Sequence, residues 1–327
     1  MKIIVDAFGG DNAPLEILKG CAESVQKYGV EIILTGKEST IKEVAAENGI
    51  SLERIEIVDC EDVLTMHDSA ESVLKAKKDS SMSVGFRLLA EGKGDALLSA
   101  GNSGALCVGA TLLIKRIKGI KRPAFAPVIP SATGCLMLLD GGANVDCRPD
   151  MLRQFAVMAS VYMEKVMKID KPRVGLANVG TEEHKGNDLY RETYGILKDS
   201  KLNFVGNVEG RDIPRGVCDV VVCDGFTGNM ILKTYEGVAA VLMKEIKNIF
   251  AGSTKGKLAA ALVMKDLKSM KSRFDYNTYG GAPILGASKP VFKVHGDAKA
   301  VTVVNAIGLC RDYVAANAID VISASLK

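Results

Sequence analysis

Residues 217–232 read VCDVVVCDGFTGNMIL. The run 217–223 is short, β-branched and apolar, the composition of a strand buried on both faces. It stops at Asp224, passes through Gly225, Phe226, Thr227, Gly228 and Asn229, and enters a long segment of helical periodicity. A strand that ends in a glycine loop and opens a helix aims backbone N–H groups and the positive end of a helix dipole at one place, which suits an anion. For this one loop taken alone, a plain strand-to-helix turn with Thr227 or Asn229 as N-cap is the simpler explanation.

The loop has counterparts. Strands are expected at 2–5, 30–34, 54–58, 95–99, 173–177, 203–205 and 290–294, with helices over 14–28, 38–48, about 69–91 broken at Ser80 and Ser81, 104–116, 149–167 and 297–317. Two apolar runs, 124–130 and 134–139, joined by Ser131, Ala132 and Thr133, read as one antiparallel hairpin. Strands alternating with helices predict a mostly parallel sheet covered on both faces, a three-layer α/β/α fold. Five strand ends, at Asp6, Ser99, Asp140, Asn178 and Asp224, run into loops rich in Gly and in Asp, Asn, Ser or Thr. Ligands of open α/β sheets bind beyond the carboxyl ends of the strands, so five ends of one character imply one shared pocket. With no sharp composition break, residues 1–327 read as a single α/β unit, open to division into two lobes, with a helical hairpin protruding from it.

The chain of 327 residues is 47% hydrophobic and 25% charged, ordinary for a globular protein with a substantial core. A strand begins at Lys2 with no room for a secretory signal, and no apolar run reaches the roughly 18 residues of a membrane span. The eight cysteines form no C-x-x-C pair, which points to buried free thiols in a reducing cytoplasm. No G-x-G-x-x-G follows the first strand, so a dinucleotide cofactor is not expected. The segment 252–257 lacks a Ser or Thr after Lys257 and joins two helices, so it is no phosphate loop. The missing G-x-S-x-G elbow removes the best sequence support for serine-hydrolase chemistry.

The loops supply the candidate site. Asp6, Gly9, Gly10 and Asn12, then Gly101, Asn102, Ser103 and Gly104, then Asn144, then Asp224, Gly225, Thr227 and Gly228 are the expected substrate pocket. Lys185, directly after a strand expected to be buried, is the candidate cation, or a solvated surface lysine. Asn229 offers an amide to a developing oxyanion, or merely caps its helix. His67, among Thr65, Asp68 and Ser69, could act as a proton donor or bind phosphate, though a lone loop histidine is more often structural. Asp6, Asp11, Asp140, Asp146 and Asp224 could hold a divalent cation and equally cap helices, so no metal is assigned.

Residues 244–273 carry eight Lys or Arg against Glu245 and Asp266, a local charge of +6 in a chain whose formal net charge is +3. Lys265, Lys268 and Lys271 share one helical side, with Arg273 close by, and Ala259, Leu262, Val263, Leu267 and Met270 share the other. A basic face on a helical hairpin suits an acidic protein partner or an anionic membrane surface, or it is a solvated face over a dimer contact.

Long blocks of the chain resemble one family: VDAFGGDNAP at 5–14, TMHDSAESVLKAKKDSSMSVGFRLLAEGKGDALLSAGNSGAL at 65–106, LLDGGANVDCRP at 138–149, HKGN at 184–187, the block 207–229 and YGGAPILG at 279–286. The chain is identified by them as similar to the bacterial phosphate acyltransferases, the acyl-ACP:phosphate transacylases of phospholipid synthesis, nearly end to end. That resemblance implies a fold like the isocitrate/isopropylmalate dehydrogenases and phosphotransacetylase, usually as a homodimer. It implies transfer of an acyl group from acyl carrier protein (ACP) to inorganic phosphate, with no cofactor, to supply a membrane glycerol-3-phosphate acyltransferase. The enzyme would then be cytoplasmic and peripheral to the inner face of the membrane, with Lys265, Lys268, Lys271 and Arg273 meeting ACP, and no nucleic-acid partner. Within the same fold, a short-chain acyl-CoA phosphotransacetylase and a metal- and NAD-dependent dehydrogenase are the enzymatic alternatives. A membrane-associated scaffold with a dead pocket is the non-enzymatic one.

Overall fold

The computed structural model describes residues 1–274 and 279–326. The chain opens with β1 (Lys2–Asp6), α1 (Leu15–Tyr28), β2 (Glu31–Gly36), α2 (Glu38–Glu47), β3 (Ile55–Asp59), α3 (Ser81–Ala90), β4 (Ala96–Ser99) and α4 (Ser103–Leu112). It continues through β5 (Ala124–Phe125), β6 (Val128–Ser131), β7 (Gly134–Leu139), α5 (Pro149–Lys165), β8 (Arg173–Asn178), α6 (Asp188–Lys198), β9 (Asn203–Glu209) and β10 (Val220–Val222). The last elements are α7 (Gly225–Ala251), α8 (Thr254–Phe274), β11 (Ala282–Leu285), β12 (Val291–Lys293), α9 (Ala300–Ala315) and α10 (Ala318–Ser325).

The strands form two sheets, not the one that alternation suggested. The first has the order β3-β2-β1-β4-β12-β11-β5 and the second the order β6-β7-β10-β8-β9. Within the first, β1, β2, β3, β4 and β12 run parallel, and β11 is antiparallel to β12 and β5. Within the second, β7, β10, β8 and β9 are parallel and the expected hairpin is β6 against β7. All of Val220–Val222 is buried, as the β-branched run requires, whereas Val217 is exposed and outside the strand.

One apolar cluster takes in both sheets. Ile3, Val5 and Ile32 of the first share it with Leu139, Val174 and Val220 of the second. The contact runs through helices: Phe292 of β12 meets Tyr313 of α9 edge-on at 5.6 Å, and Tyr313 meets Tyr162 of α5 at 5.9 Å. The two sets of strand carboxyl ends are thereby held across one cleft.

The helices differ from expectation in two places. The helix expected from about 69 is a 3-10 turn over Ala70–Val73 and irregular backbone, with α3 starting only at Ser81. Ser83 Oγ donates to the carbonyls of Val73 and Lys77, and Lys77 Nζ bonds Asp62, so side chains satisfy the backbone that a helix would have used. The last expected helix, 297–317, is α9, ending at Ala315, and a further helix that was not expected, α10, follows Asn317, which takes a left-handed backbone with φ 47°. The apolar side of the hairpin α7–α8 is not packed away: Val238, Val241, Leu242, Ile249, Leu258 and Leu262 are all exposed. Among the described residues no helix is long and apolar enough to cross a membrane.

Candidate active site

Three loops of the first sheet meet at its carboxyl edge. Asp6 closes β1, buried, and accepts from Ser81 Oγ at 2.6 Å, Ser99 Oγ at 2.7 Å and the Phe8 amide at 3.2 Å. Burial pushes its carboxyl above the ordinary carboxylate range, opposed by those hydrogen bonds and by the charge of Lys293. Gly9 lies so close that an added Cβ would stand 2.6 Å from the Gly101 amide nitrogen and 2.8 Å from Asp6 Oδ2. The Asp11 amide donates to the Gly296 carbonyl at 2.7 Å, and Asn12 Nδ2 to the carbonyl of Asp297 at 2.9 Å. Gly10 holds φ +92° against that Gly296 carbonyl, a backbone that favours glycine. Asn102 caps α4, accepting from the Ala105 amide at 3.1 Å.

The second sheet builds the facing wall. Asp140, fully buried beyond β7, accepts from the amides of Phe125 (3.0 Å), Gly142 (3.1 Å), Ala143 (3.1 Å) and Asn144 (2.6 Å), and from Asn144 Nδ2 (2.8 Å). Burial pushes its carboxyl up, against these five donors, which leave no acceptor that a carboxyl proton could use. Asp224 caps α7: its Oδ1 accepts from the Thr227 amide at 2.9 Å, and its Oδ2 from Tyr190 Oη at 2.5 Å and Thr227 Oγ1 at 2.9 Å. Burial and the Asp224 carboxylate together raise the Tyr190 hydroxyl far above its usual range, so it remains a donor. Gly225 donates to the Asn144 carbonyl at 2.7 Å, and Gly228 faces the Asp140 carbonyl with no room for a side chain.

The glycine loops are therefore not open amide cradles on this wall. The amides of Gly142, Ala143 and Asn144 are taken by Asp140, and those of Thr227 and Gly228 by Asp224. Asp140 and Asp224 are used in holding loops and have no free face for a ligand.

Between the walls lies a cavity of about 590 Å³. Of the residues read from sequence, Ser103, Gly104 and Asn229 line it, with Asp11 and the loop 141–143. Asp6, Gly9, Gly10, Asn12, Gly101, Asn102, Asn144, Asp224, Gly225, Thr227 and Gly228 are not in the lining and lie behind or beside it. Lys185 is not in the lining either; its side chain is 43% exposed, 4.0 Å from Glu182. His67 is exposed and not in the lining, which Met66 and Ala70 of the same segment reach. Of the hairpin cations, Lys265 and Lys268 are exposed on α8, and the side chains of Lys271 and Arg273 lie outside the described residues.

Sequence reasoning passed over several lining residues. Lys233 is exposed and bonded to Glu236 at 2.8 Å, His295 faces the same space, and Lys293 is buried. Val108, Phe125, Val128, Ile129 and Leu232 give the cavity an apolar side. Cys107 is also there, but burial pushes its thiol up to about 12, so it holds no thiolate near neutral pH.

A family model described as fatty acid synthesis protein matches residues 1–321. The phosphate acyltransferase of Caldanaerobacter subterraneus subsp. tengcongensis is 48% identical over 315 residues, covering 96% of this chain and 94% of the relative. That of Acetivibrio thermocellus is 46% identical over 321 residues, covering 98% and 95%. Among solved structures, a phosphotransacetylase from Streptococcus pyogenes superposes with a TM-score of 0.63 at 17% identity, covering 98% of this chain and 94% of its own. The EutD phosphotransacetylase from Staphylococcus aureus gives 0.62 at 15% identity, covering 96% and 94%. At those identities the structures show the shared α/β fold alone. The sequence relatives, near half identical across almost the whole length, show that this chain belongs to the phosphate acyltransferase family and is an acyltransferase.

Proposed function

We propose that this enzyme transfers a long-chain fatty acyl group from acyl-ACP to inorganic phosphate, giving acyl phosphate and free ACP. The supporting observation is the cavity itself, where cationic and helix N-terminal groups share one space with an apolar side. A phosphate oxygen attacks the thioester carbonyl carbon; the C–O bond forms, the C–S bond breaks, and the phosphopantetheine thiolate leaves and takes a proton from solvent. Phosphate is the nucleophile, so no acyl-enzyme is needed, in keeping with the neutral Cys107 thiol. The Asn229 side chain, beside Gly142 on the cavity wall, is the donor for the developing oxyanion. Lys185 and His67, off the wall, are given no step.

The reading extends to partners. The exposed Lys265 and Lys268 offer a basic face to acidic ACP. The uncovered apolar stripe of α7 and α8, with the groove between Met230, Tyr235, Leu242, Ile246 and Met270, fits a second copy of the chain at its base and an anionic membrane surface at its tip. There the acyl phosphate would pass to glycerol 3-phosphate acylation.

The test is direct. The protein is incubated with phosphate and either long-chain acyl-ACP or acyl-CoA, and acyl phosphate is trapped with hydroxylamine. Phosphate-dependent product from acyl-ACP supports the reading, and its absence overturns it. Faster turnover of short-chain acyl-CoA would favour a phosphotransacetylase-like substrate instead.

A further inference from the structure

Lys293 is a buried cation with no carboxylate in contact with it among the described residues. It ends β12, is 7% exposed and lines the cavity. Its Nζ donates to the carbonyls of Ala100, at 3.1 Å, and Val294. Among the described residues no carboxylate oxygen forms an ion pair with it, and Asp6 and Asp11 act on it only by charge at longer range. A buried charge is costly unless it is paired. An ammonium has three N–H groups, and two carbonyls leave one.

The carbonyl that accepts from Lys293 belongs to Ala100, three residues before the start of α4. Ser103 and Gly104 open that helix, line the same cavity, and their amides meet no acceptor among the described residues. This is the reverse of the opposite wall, where Asp140 and Asp224 consume the loop amides. The other lysine of the cavity, Lys233, is exposed and already paired with Glu236. A spare ammonium N–H, two spare amides and a helix dipole thus share one cavity, whose lining carboxylates are Asp11, which acts on Lys293 only at longer range, and Glu236, already taken by Lys233.

We propose that the Lys293 ammonium and the Ser103 and Gly104 amides form the subsite that binds the attacking phosphate. The proposal deepens the reading of the cavity as a phosphate acyl-transfer site and rests on it. Lys293 and the helix hold phosphate oxygens on the polar side, leaving another oxygen free to meet the acyl carbonyl on the apolar side.

Two variants test it. Lys293→Gln keeps a hydrogen-bond donor and removes the charge. Ser103→Pro removes one amide N–H at the first position of α4, where proline is tolerated, after an Asn102 already extended at ψ 118°. In the hydroxylamine assay the KM for phosphate should rise about ten- to a hundredfold in Lys293→Gln and several-fold in Ser103→Pro, with the KM for acyl-ACP within about twofold of wild type. A merely structural lysine would lower the yield of folded enzyme or kcat and leave the phosphate KM in place. Binding is read separately, without acyl donor: inorganic phosphate should raise the Tm of the wild type, at ionic strength matched with chloride, and shift both variants less. An unchanged phosphate KM and an unchanged Tm shift in both variants overturn the subsite. Wild-type protein that yields no acyl phosphate overturns the parent reading instead, and the Tm comparison still decides whether Lys293 binds phosphate.

Discussion

Replacing Asp140 by Asn changes two atoms' worth of chemistry at the best-connected side chain of the site. Oδ1 accepts from the amides of Phe125, Gly142 and Ala143, and Oδ2 from the amide and side chain of Asn144. An asparagine would place its oxygen toward the three donors and its NH₂ toward the two from Asn144. Two N–H groups in a fully buried site would then face a donor. Each unmet buried donor costs about 1–3 kcal/mol, so the variant should lose about 2–6 kcal/mol. The loss is read by urea unfolding as a lower midpoint at unchanged m. Because the same loop sets the cavity wall beside Asn229, kcat should fall even below the melting temperature of the variant. A loss under about 1 kcal/mol would mean that Asp140 carries a proton in the native state, and the assignment of five donors to a carboxylate would be wrong.

Other consequences are as direct. Gly228→Ala puts a Cβ 1.9 Å from the Asp140 carbonyl oxygen and should cost at least about 3 kcal/mol or prevent folding, whereas Gly237→Ala, on the same helix with nothing within 4 Å, should stabilise by about 0.5–1 kcal/mol in thermal melts. Burial alone would raise the Asp219 carboxyl, but Arg173, bonding it through its amide at 2.8 Å, Nε at 3.0 Å and a terminal guanidinium nitrogen at 2.9 Å, holds it below the usual carboxylate value. The pair's stabilisation, about 1 kcal/mol after solvent screening, is present above the unfolded carboxylate pKa and lost as pH falls through the lower folded value, so Asp219→Asn should be destabilised at pH 7 and converge with wild type near pH 3. Burial pulls Lys293 down to about 8, against Asp6, Cys107 and Asp11 and with Lys233, so the KM for phosphate should climb by up to about tenfold per pH unit above pH 8, and Lys293→Gln should flatten that rise. Charge reversal at Lys265 and Lys268 should raise the KM for acyl-ACP about tenfold or more at low salt and leave that for phosphate unchanged; equal effects on both would remove the hairpin from carrier recognition.

Much of the fold is local, and local order is written in the chain. The β-branched run before Asp224, the alternation of strand and helix, and the hairpin at 128–139 follow from side-chain periodicity and from turn residues. So do the polar strand ends Asp6, Ser99, Asp140 and Asp224, because each interrupts an apolar run where the backbone must turn. Their partners are another matter. A glycine loop after a strand has the same sequence whether its amides wait for a ligand or are already bound, and here the aspartates at the strand ends bind them. Lys185 and Lys293 show the same limit from the opposite side: the lysine in a polar loop is exposed, and the one in VFKVH is buried.

Local sequence carries most of the elements and their order, though not β11, the break between β5 and β6, or α10, together with the polar strand ends, the basic hairpin and the family. Long-range packing alone divides the strands into two sheets, commits Asp140 and Asp224 to the loops, and buries the Lys293 ammonium. The reason is distance along the chain. Lys293 is buried because β12 pairs in parallel with β4 on one side and antiparallel with β11 on the other, and its ammonium reaches a carbonyl 193 residues away. Such pairing depends on how every strand packs at once, and no window of sequence around residue 293 contains it.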